Sequence, residues 1–241
     1  MDRIDNKANY RSPSLVTGYD AHRRIGEDDY VNSLEVGYFI AQVRRLAGPS
    51  GSIIDMGAGT GKLSLAFARL GYAVTAFDQS DAMLERLEAK ARAEGLTIAV
   101  RQGDIVADVD DAPSAPSHDV AVSSRVLMHV ADPDVMIRHM AKRSRRGIVL
   151  DAPRRASPNR LLAGWRSLTG GEVYRCFDDR SLLDSVGRCG LRVIDASPLF
   201  TLPIGLHLAL HRKAVSTALE RALRPARGAA STLFLAAERT G

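Results

Sequence analysis

The 241-residue chain (26.1 kDa) is 45% hydrophobic and 25% charged, with a mean hydropathy of -0.10. This is ordinary globular composition, and a chain of this mass buries about 70% of its surface without staples. Two cysteines, Cys176 and Cys189, are too few for a disulfide framework or a four-ligand zinc site, the opening residues are too polar for a signal peptide, and the most apolar stretch, Leu199 to Leu210, is too short to span a bilayer and is broken by Pro203 and Gly205. A cytoplasmic protein with no transmembrane segment is expected. The net charge of +5 is unevenly spread: residues 1–137 hold 14 Lys and Arg against 20 Asp and Glu (net -6), and residues 138–241 hold 19 against 8 (net +11). A basic second half suits an anionic partner, or forms a solvated basic surface.

In chain order, Ser52 to Met56 is a β-branched apolar run that predicts a strand. A glycine cluster follows, and then Leu63, Ala66, Phe67 and Leu70 recur at helical spacing until Gly71. Ala73 to Phe77 predicts a second strand, and Ser80 or Asp81 caps a helix carrying Met83, Leu84, Leu87 and Ala91. Further strands are predicted over Thr97 to Arg101, Val120 to Ser123 and Gly147 to Leu150, with a helix from Val135 to Met140 before the last. Strands alternating with helices predict a doubly wound, mostly parallel α/β sheet. Beyond Asp151 come an Arg-, Gly- and Pro-rich stretch (152–177), a helix from Ser181 to Cys189, strands over Arg192 to Pro198 and Thr232 to Ala237, and between those strands an amphipathic helix from Ile204 to Arg224. One domain is expected, with residues 1–48 as an N-terminal helical lid, 49–151 as a cofactor-binding core, and 152–241 as substrate cap, helical insertion and last strands.

The most informative segment is IIDMGAGTGKLSLAFARLG, residues 53–71. Glycines let the chain turn sharply and bring backbone against a ligand. Asp55, two residues before the first glycine, repels a pyrophosphate and accepts from an ammonium group, and the third glycine comes one residue early for the dinucleotide fingerprint GxGxxG. Lys62 is not part of a phosphate-loop signature and reads as a solvated helix residue.

Here the chain resembles the class I S-adenosylmethionine-dependent methyltransferases, whose first motif, (D/E)xGxGxG, is met by Asp55, Gly57, Gly59 and Gly61, with Ala58 inside the loop. The resemblance covers roughly Gly51 to Leu150 and implies a Rossmann-like seven-stranded sheet with helices on both faces and S-adenosylmethionine as cofactor. It implies further that Asp78, beside Gln79, holds the ribose hydroxyls by charge-assisted bonds. Asp104, between Gly103 and Ile105, would face the adenine amino group, and Ser123 and Ser124 would lie near the methionyl part. Tyr19 would close over the cofactor from the N-terminal side. His129, past the fourth strand, is the candidate general base, since imidazole is poised for proton transfer near pH 7; a structural role beneath the site is its alternative. His118 and His139 read as solvated.

The family's fold does not fix the acceptor. After the fourth strand the chain has SSRVL, not the (N/D/S)PP(Y/F) of base-amine methylation, and Ser123 and Ser124 stand where metal-dependent relatives place acidic ligands, so no metal is expected. Arg154, Trp165 and Tyr174 in the second cap suit an anionic or aromatic small-molecule acceptor. The expectation is methyl transfer to oxygen or nitrogen of such an acceptor in biosynthetic metabolism, by a monomer or homodimer. A tRNA-modifying methyltransferase and a non-catalytic cofactor-binding partner subunit are the alternatives. The Ile204 to Arg224 helix is open to core packing, to a docking role, or to peripheral membrane contact.

Overall fold

The computed structural model describes Asp20 and residues 29–106, 116–157, 175–210 and 212–240. The predicted residues Tyr19, Trp165 and Tyr174 lie outside them. Helix α1 (Tyr30–Ala47) is capped by Asp29, whose carboxylate accepts the Asn32 N–H at 3.0 Å, and ends at Gly48 with φ +83. Then follow β1 (Ser52–Met56), α2 (Lys62–Arg69), β2 (Ala73–Asp78), α3 (Asp81–Ala93), β3 (Ala99–Gln102) and β4 (His118–Ser123). After a short 3-10 turn (Leu127–His129) come α4 (Pro133–Arg143), β5 (Ser144–Pro153), α5 (Asp179–Arg188), β6 (Leu191–Leu199), α6 (Ile204–Leu210), α7 (Lys213–Ala222) and β7 (Thr232–Arg239). Ser80, Asp132 and Asp178 cap α3, α4 and α5 by accepting from Met83, Asp134 and Ser181 N–H groups.

The seven strands form one sheet in the order β3-β2-β1-β4-β5-β7-β6. The first five pair in parallel, and β7 runs antiparallel to both β5 and β6. Strands β1 and β4 are almost wholly buried, as a parallel sheet covered on both faces requires. On one face Phe39 and Val43 of α1 and Leu63 and Phe67 of α2 pack on Ile53, Val120 and Phe234. On the other, Met136 and Met140 of α4 and Leu182 and Val186 of α5 pack on Ile54, Ile148 and Leu235. The chain runs β1-β2-β3 to one side and β4-β5 to the other, so β1 and β4 flank the topological switch point, where a ligand crevice opens at the carboxyl ends of the strands.

Two expectations need correction. The segment Tyr30–Ala47, expected within the lid, is a core helix, because Phe39 and Val43 are fully buried; only its first turns reach the crevice. The single helix expected over Ile204 to Arg224 is two helices, α6 ending at Leu210 and α7 beginning at Lys213.

Candidate active site

The loop after β1 is shaped by backbone bonds. The Gly57 and Ala58 N–H groups donate to the Phe77 carbonyl of β2 at 2.7 and 3.1 Å, which folds the loop back over the sheet. Gly57, Gly59 and Gly61 all have positive φ (+82, +54 and +91). A Cβ at Gly57 would overlap the Val126 side chain, and one at Gly61 would lie 2.7 Å from Leu87 Cγ. At Gly59 a Cβ would meet nothing within 4 Å. The first and third glycines thus permit packing within the protein, and the second faces open space.

That space belongs to an open cleft. Its wall includes Asp55, residues 57–60, Lys62 and Leu63 from the loop and α2, Asn32 from α1, Ser124 and Arg125 after β4, and Leu208 from α6. Asp55 is buried and accepts from the Ser64 hydroxyl at 2.7 Å; burial pushes its carboxyl up to about 6, against the Ser64 bond and the Lys62 charge. A cation brought into the cleft would restore the charge of this carboxylate. Asp78, at the end of β2, accepts the Gly59 N–H at 2.8 Å and the Ser80 N–H at 2.9 Å. Burial raises its pKa and these backbone donors oppose the rise. A carboxylate has about four lone-pair sites, so acceptor capacity remains for a hydroxyl donor. Open space over Gly59, a buried carboxylate in the wall and a second carboxylate tied to the same loop fit a cationic, ribose-bearing cofactor.

The other predicted residues are placed variously. The Ser123 hydroxyl donates to the Met56 carbonyl at 2.5 Å, so its side chain is occupied within the sheet. The Asp104 carboxylate accepts the Val106 N–H at 2.9 Å in a local turn, and the Gln79 carbonyl accepts from Gln102 at 3.4 Å. His129 ends the 3-10 turn, its N–H donating to the Val126 carbonyl at 2.9 Å, and is not among the cleft-lining residues. Arg154 does not line the cleft either. Its guanidinium clamps Asp179 at 2.6 to 3.0 Å and donates to the Gly228 and Ala230 carbonyls at 3.1 and 3.0 Å, which ties the end of β5 to α5 and to the approach to β7. Asp20, next in sequence to Tyr19, accepts from the loop hydroxyl of Thr60 at 2.5 Å and pairs with Lys90 at 2.8 Å.

A buried ionic cluster that sequence reading missed sits in the cleft wall. Glu35 of α1, fully buried, accepts from Lys62 Nζ at 2.6 Å, from Arg125 Nη2 at 2.8 Å and from the Ser124 hydroxyl. The Arg125 N–H donates to buried Asp151 of β5 at 2.5 Å, and Arg125 is held at φ +59, an uncommon conformation for a residue with a Cβ. Burial alone would raise the Glu35 carboxyl, but the two cations outweigh it and hold it low; burial and Glu35 together raise Asp151. Lys62 is therefore not solvated, as expected, but paired, and burial lowers its pKa. His139 is likewise buried, with Nδ1 donating to the Ile105 carbonyl at 2.7 Å and Nε2 accepting from Arg143 at 2.6 Å. His118 bridges Ser117 and Thr75 at 2.8 and 3.0 Å. Only the helical spacing that puts Glu35 one turn from Phe39, on a buried face, could have hinted at the cluster.

Residues 53–147 match the family described as a methyltransferase domain. A ubiquinone biosynthesis O-methyltransferase of Caulobacter vibrioides is 38% identical over 91 residues, 38% of this chain and 35% of that protein. One of Actinobacillus pleuropneumoniae is 35% identical over 120 residues, 49% of this chain and 50% of that protein. The matches thus span a third to a half of these relatives' length. Among solved structures, magnesium protoporphyrin IX methyltransferase of Synechocystis with bound SAH superposes with a TM-score of 0.68 over 98% of this chain and 100% of that one, at 20% identity. Geranyl diphosphate C-methyltransferase of Streptomyces coelicolor gives 0.63 over 86% and 79%, at 17% identity. Superpositions at such identities speak for the fold and leave the acceptor open: the chain has the fold of these methyltransferases, and residues 53–147 are similar in sequence to a methyltransferase domain.

Proposed function

We propose that the chain is an S-adenosylmethionine-dependent methyltransferase that moves the methyl group to an oxygen or nitrogen atom of a small-molecule acceptor, anionic or aromatic. The observation that supports this best is the open space over Gly59, flanked in the chain by the buried carboxylate of Asp55 and bonded to that of Asp78. The names of the relatives, for ubiquinone biosynthesis and magnesium protoporphyrin IX, favour a small-molecule acceptor.

When bound, the cofactor supplies a methyl on a sulfonium; the acceptor lone pair forms the new bond to carbon and the sulfur–carbon pair returns to sulfur. The chain's part is to hold the reactants in line and to keep water out. Asp55 faces an ammonium group, Asp78 accepts from a ribose hydroxyl, and Asp104, with Gly103 and Ile105, faces an amino donor. Ser123 and Ser124 act through backbone, because their hydroxyls are bonded to Met56 and Glu35. His129 takes the proton when the nucleophile is a hydroxyl. Tyr19 joins the cofactor set, an assignment supported by the bond of its neighbour Asp20 to Thr60. Trp165 and Tyr174 are assigned to acceptor binding because their segment follows β5 in the chain, and Asp151 of β5 is bonded to the cleft residue Arg125.

The test is a thermal shift. S-adenosylhomocysteine at a hundred times its dissociation constant stabilises by about 2.7 kcal/mol, or roughly 5 to 11 °C for a chain of this size. Asp78→Ala loses most of that shift relative to its own baseline. No shift with the wild-type chain, or a shift with NAD instead, overturns the reading.

A further inference from the structure

Helix α7 is inside out. Its polar residues Ser216 and Glu220, one turn apart, point inward: Ser216 is 1% exposed, and Glu220 accepts the Thr201 and Leu202 N–H groups at 3.0 and 2.9 Å and meets His207 Nε2 at 2.9 Å. Its apolar residues Val215, Ala218, Leu219 and Ala222, spaced i, i+3, i+4, i+7, are all exposed. Helices of globular domains normally bury such a stripe. Leu206 of α6 adds to the patch: at 43, 36 and 37% exposure, Leu206, Val215 and Leu219 are three of the six large hydrophobics that stand exposed among the described residues.

The segment that carries the patch is basic. Between Leu202 and Ala237, Glu220 is the only acidic residue, and it is turned inward. Arg212, Lys213 and Arg221 are exposed beside the apolar stripe. We propose that the exposed face of α6 and α7 is a docking surface for an anionic lipid bilayer, on which the apolar stripe enters the headgroup boundary and the basic side chains meet lipid phosphates. An apolar strip ringed by Arg and Lys is the pattern of an interfacial helix, and long basic side chains reach sideways to the headgroups as the stripe sinks in. A second copy of this chain fits the face poorly, since a two-fold contact would bring the like charges of Arg212 and Arg221 together with no acidic residue of the segment turned outward to meet them. Leu208, on the same helix as Leu206, lines the cofactor cleft. Leu208 lies on the opposite side of α6 from Leu206, so docking holds the cleft one helix diameter, about 10 Å, from the bilayer, where an amphiphilic acceptor resides; this last consequence rests on the methyl-transfer reading, and the docking itself does not.

The test is sedimentation of the full chain with phosphatidylcholine vesicles, with and without phosphatidylglycerol, at low and high salt. The chain sediments only with the anionic vesicles and is released by salt. Arg221→Gln weakens partitioning about fivefold, the effect of one basic residue near an anionic surface. Leu219→Asp abolishes it, Val215→Ser reduces it, and all three variants keep the wild-type melting temperature. Failure to sediment with anionic vesicles at low salt overturns the proposal, as does binding that Leu219→Asp leaves unchanged. A concentration-dependent dimer broken by Leu219→Asp also overturns it, by showing that a second copy covers the face.

Discussion

Substituting alanine at Gly57 and at Gly59 separates packing from ligand binding within one loop. At Gly57 the left-handed backbone costs about 1–2 kcal/mol for any residue with a Cβ, and overlap with Val126 adds about 1–3 kcal/mol of overpacking. The sum, roughly 2–5 kcal/mol, lowers the melting temperature by roughly 4 to 20 °C at this chain length. Adding Val126→Ala removes the overlapping methyl but not the backbone strain, so a double-mutant cycle returns a coupling of about 1–3 kcal/mol. At Gly59 the backbone strain stands alone, because the Cβ enters open space; the loss is about 1–2 kcal/mol, or roughly 2 to 8 °C. Its larger effect is on binding, where the methyl projects into the cleft beside Asp78 and the S-adenosylhomocysteine-induced shift disappears. Calorimetric melting with and without ligand reads both effects. Wild-type ligand response in Gly59→Ala would refute the loop as the cofactor seat, and zero coupling between Gly57 and Val126 would refute the packing argument.

Asp55, raised by burial to about 6, is more readily protonated folded than unfolded, so its contribution to stability is full below its ordinary pKa near 4 and is lost as pH rises through 6. A cation beside it favours the ionised form, so cofactor affinity falls as pH drops below 6, by up to about tenfold per pH unit; isothermal titration from pH 5 to 8 checks this, and Asp55→Asn flattens the profile. Arg154→Ala destabilises by about 1–3 kcal/mol, the cost of leaving the Gly228 and Ala230 carbonyls without their donor beside a partly exposed Asp179, while acceptor KM stays unchanged in steady-state assays of the remaining folded enzyme; a raised KM at wild-type stability would return Arg154 to acceptor binding. His129→Ala lowers kcat for a hydroxyl acceptor by about 10²–10⁴ and keeps the ligand-induced thermal shift; unchanged kcat would assign the proton elsewhere.

The parallel core was legible because its signals are local. The β-branched run Ser52 to Met56, the glycine cluster behind it and the helical spacing of Leu63 and Phe67 lie within twenty residues, and a strand-turn-helix unit of this kind announces both its geometry and its carboxylates. Asp55 and Asp78 sit at strand ends set by short apolar runs, so sequence alone placed them at the carboxyl ends of two strands. The fates of Lys62, Arg154 and His139 were not legible, because each is decided by a partner far away in the chain: Lys62 by Glu35, Arg154 by Asp179 and the Gly228 and Ala230 carbonyls, and His139 by the Ile105 carbonyl. A cation reads as solvated until tertiary packing brings an acceptor to it. The same holds for α7, whose amphipathic spacing is plain in the sequence, while which face turns inward was set by the Thr201 and Leu202 N–H groups and His207 waiting for Glu220. Sequence by itself determined the strand ends, the glycine loop and the charge of each half; only the tertiary structure decided which charges are paired inside and which remain for a ligand or a surface, because pairing depends on distances that span the chain.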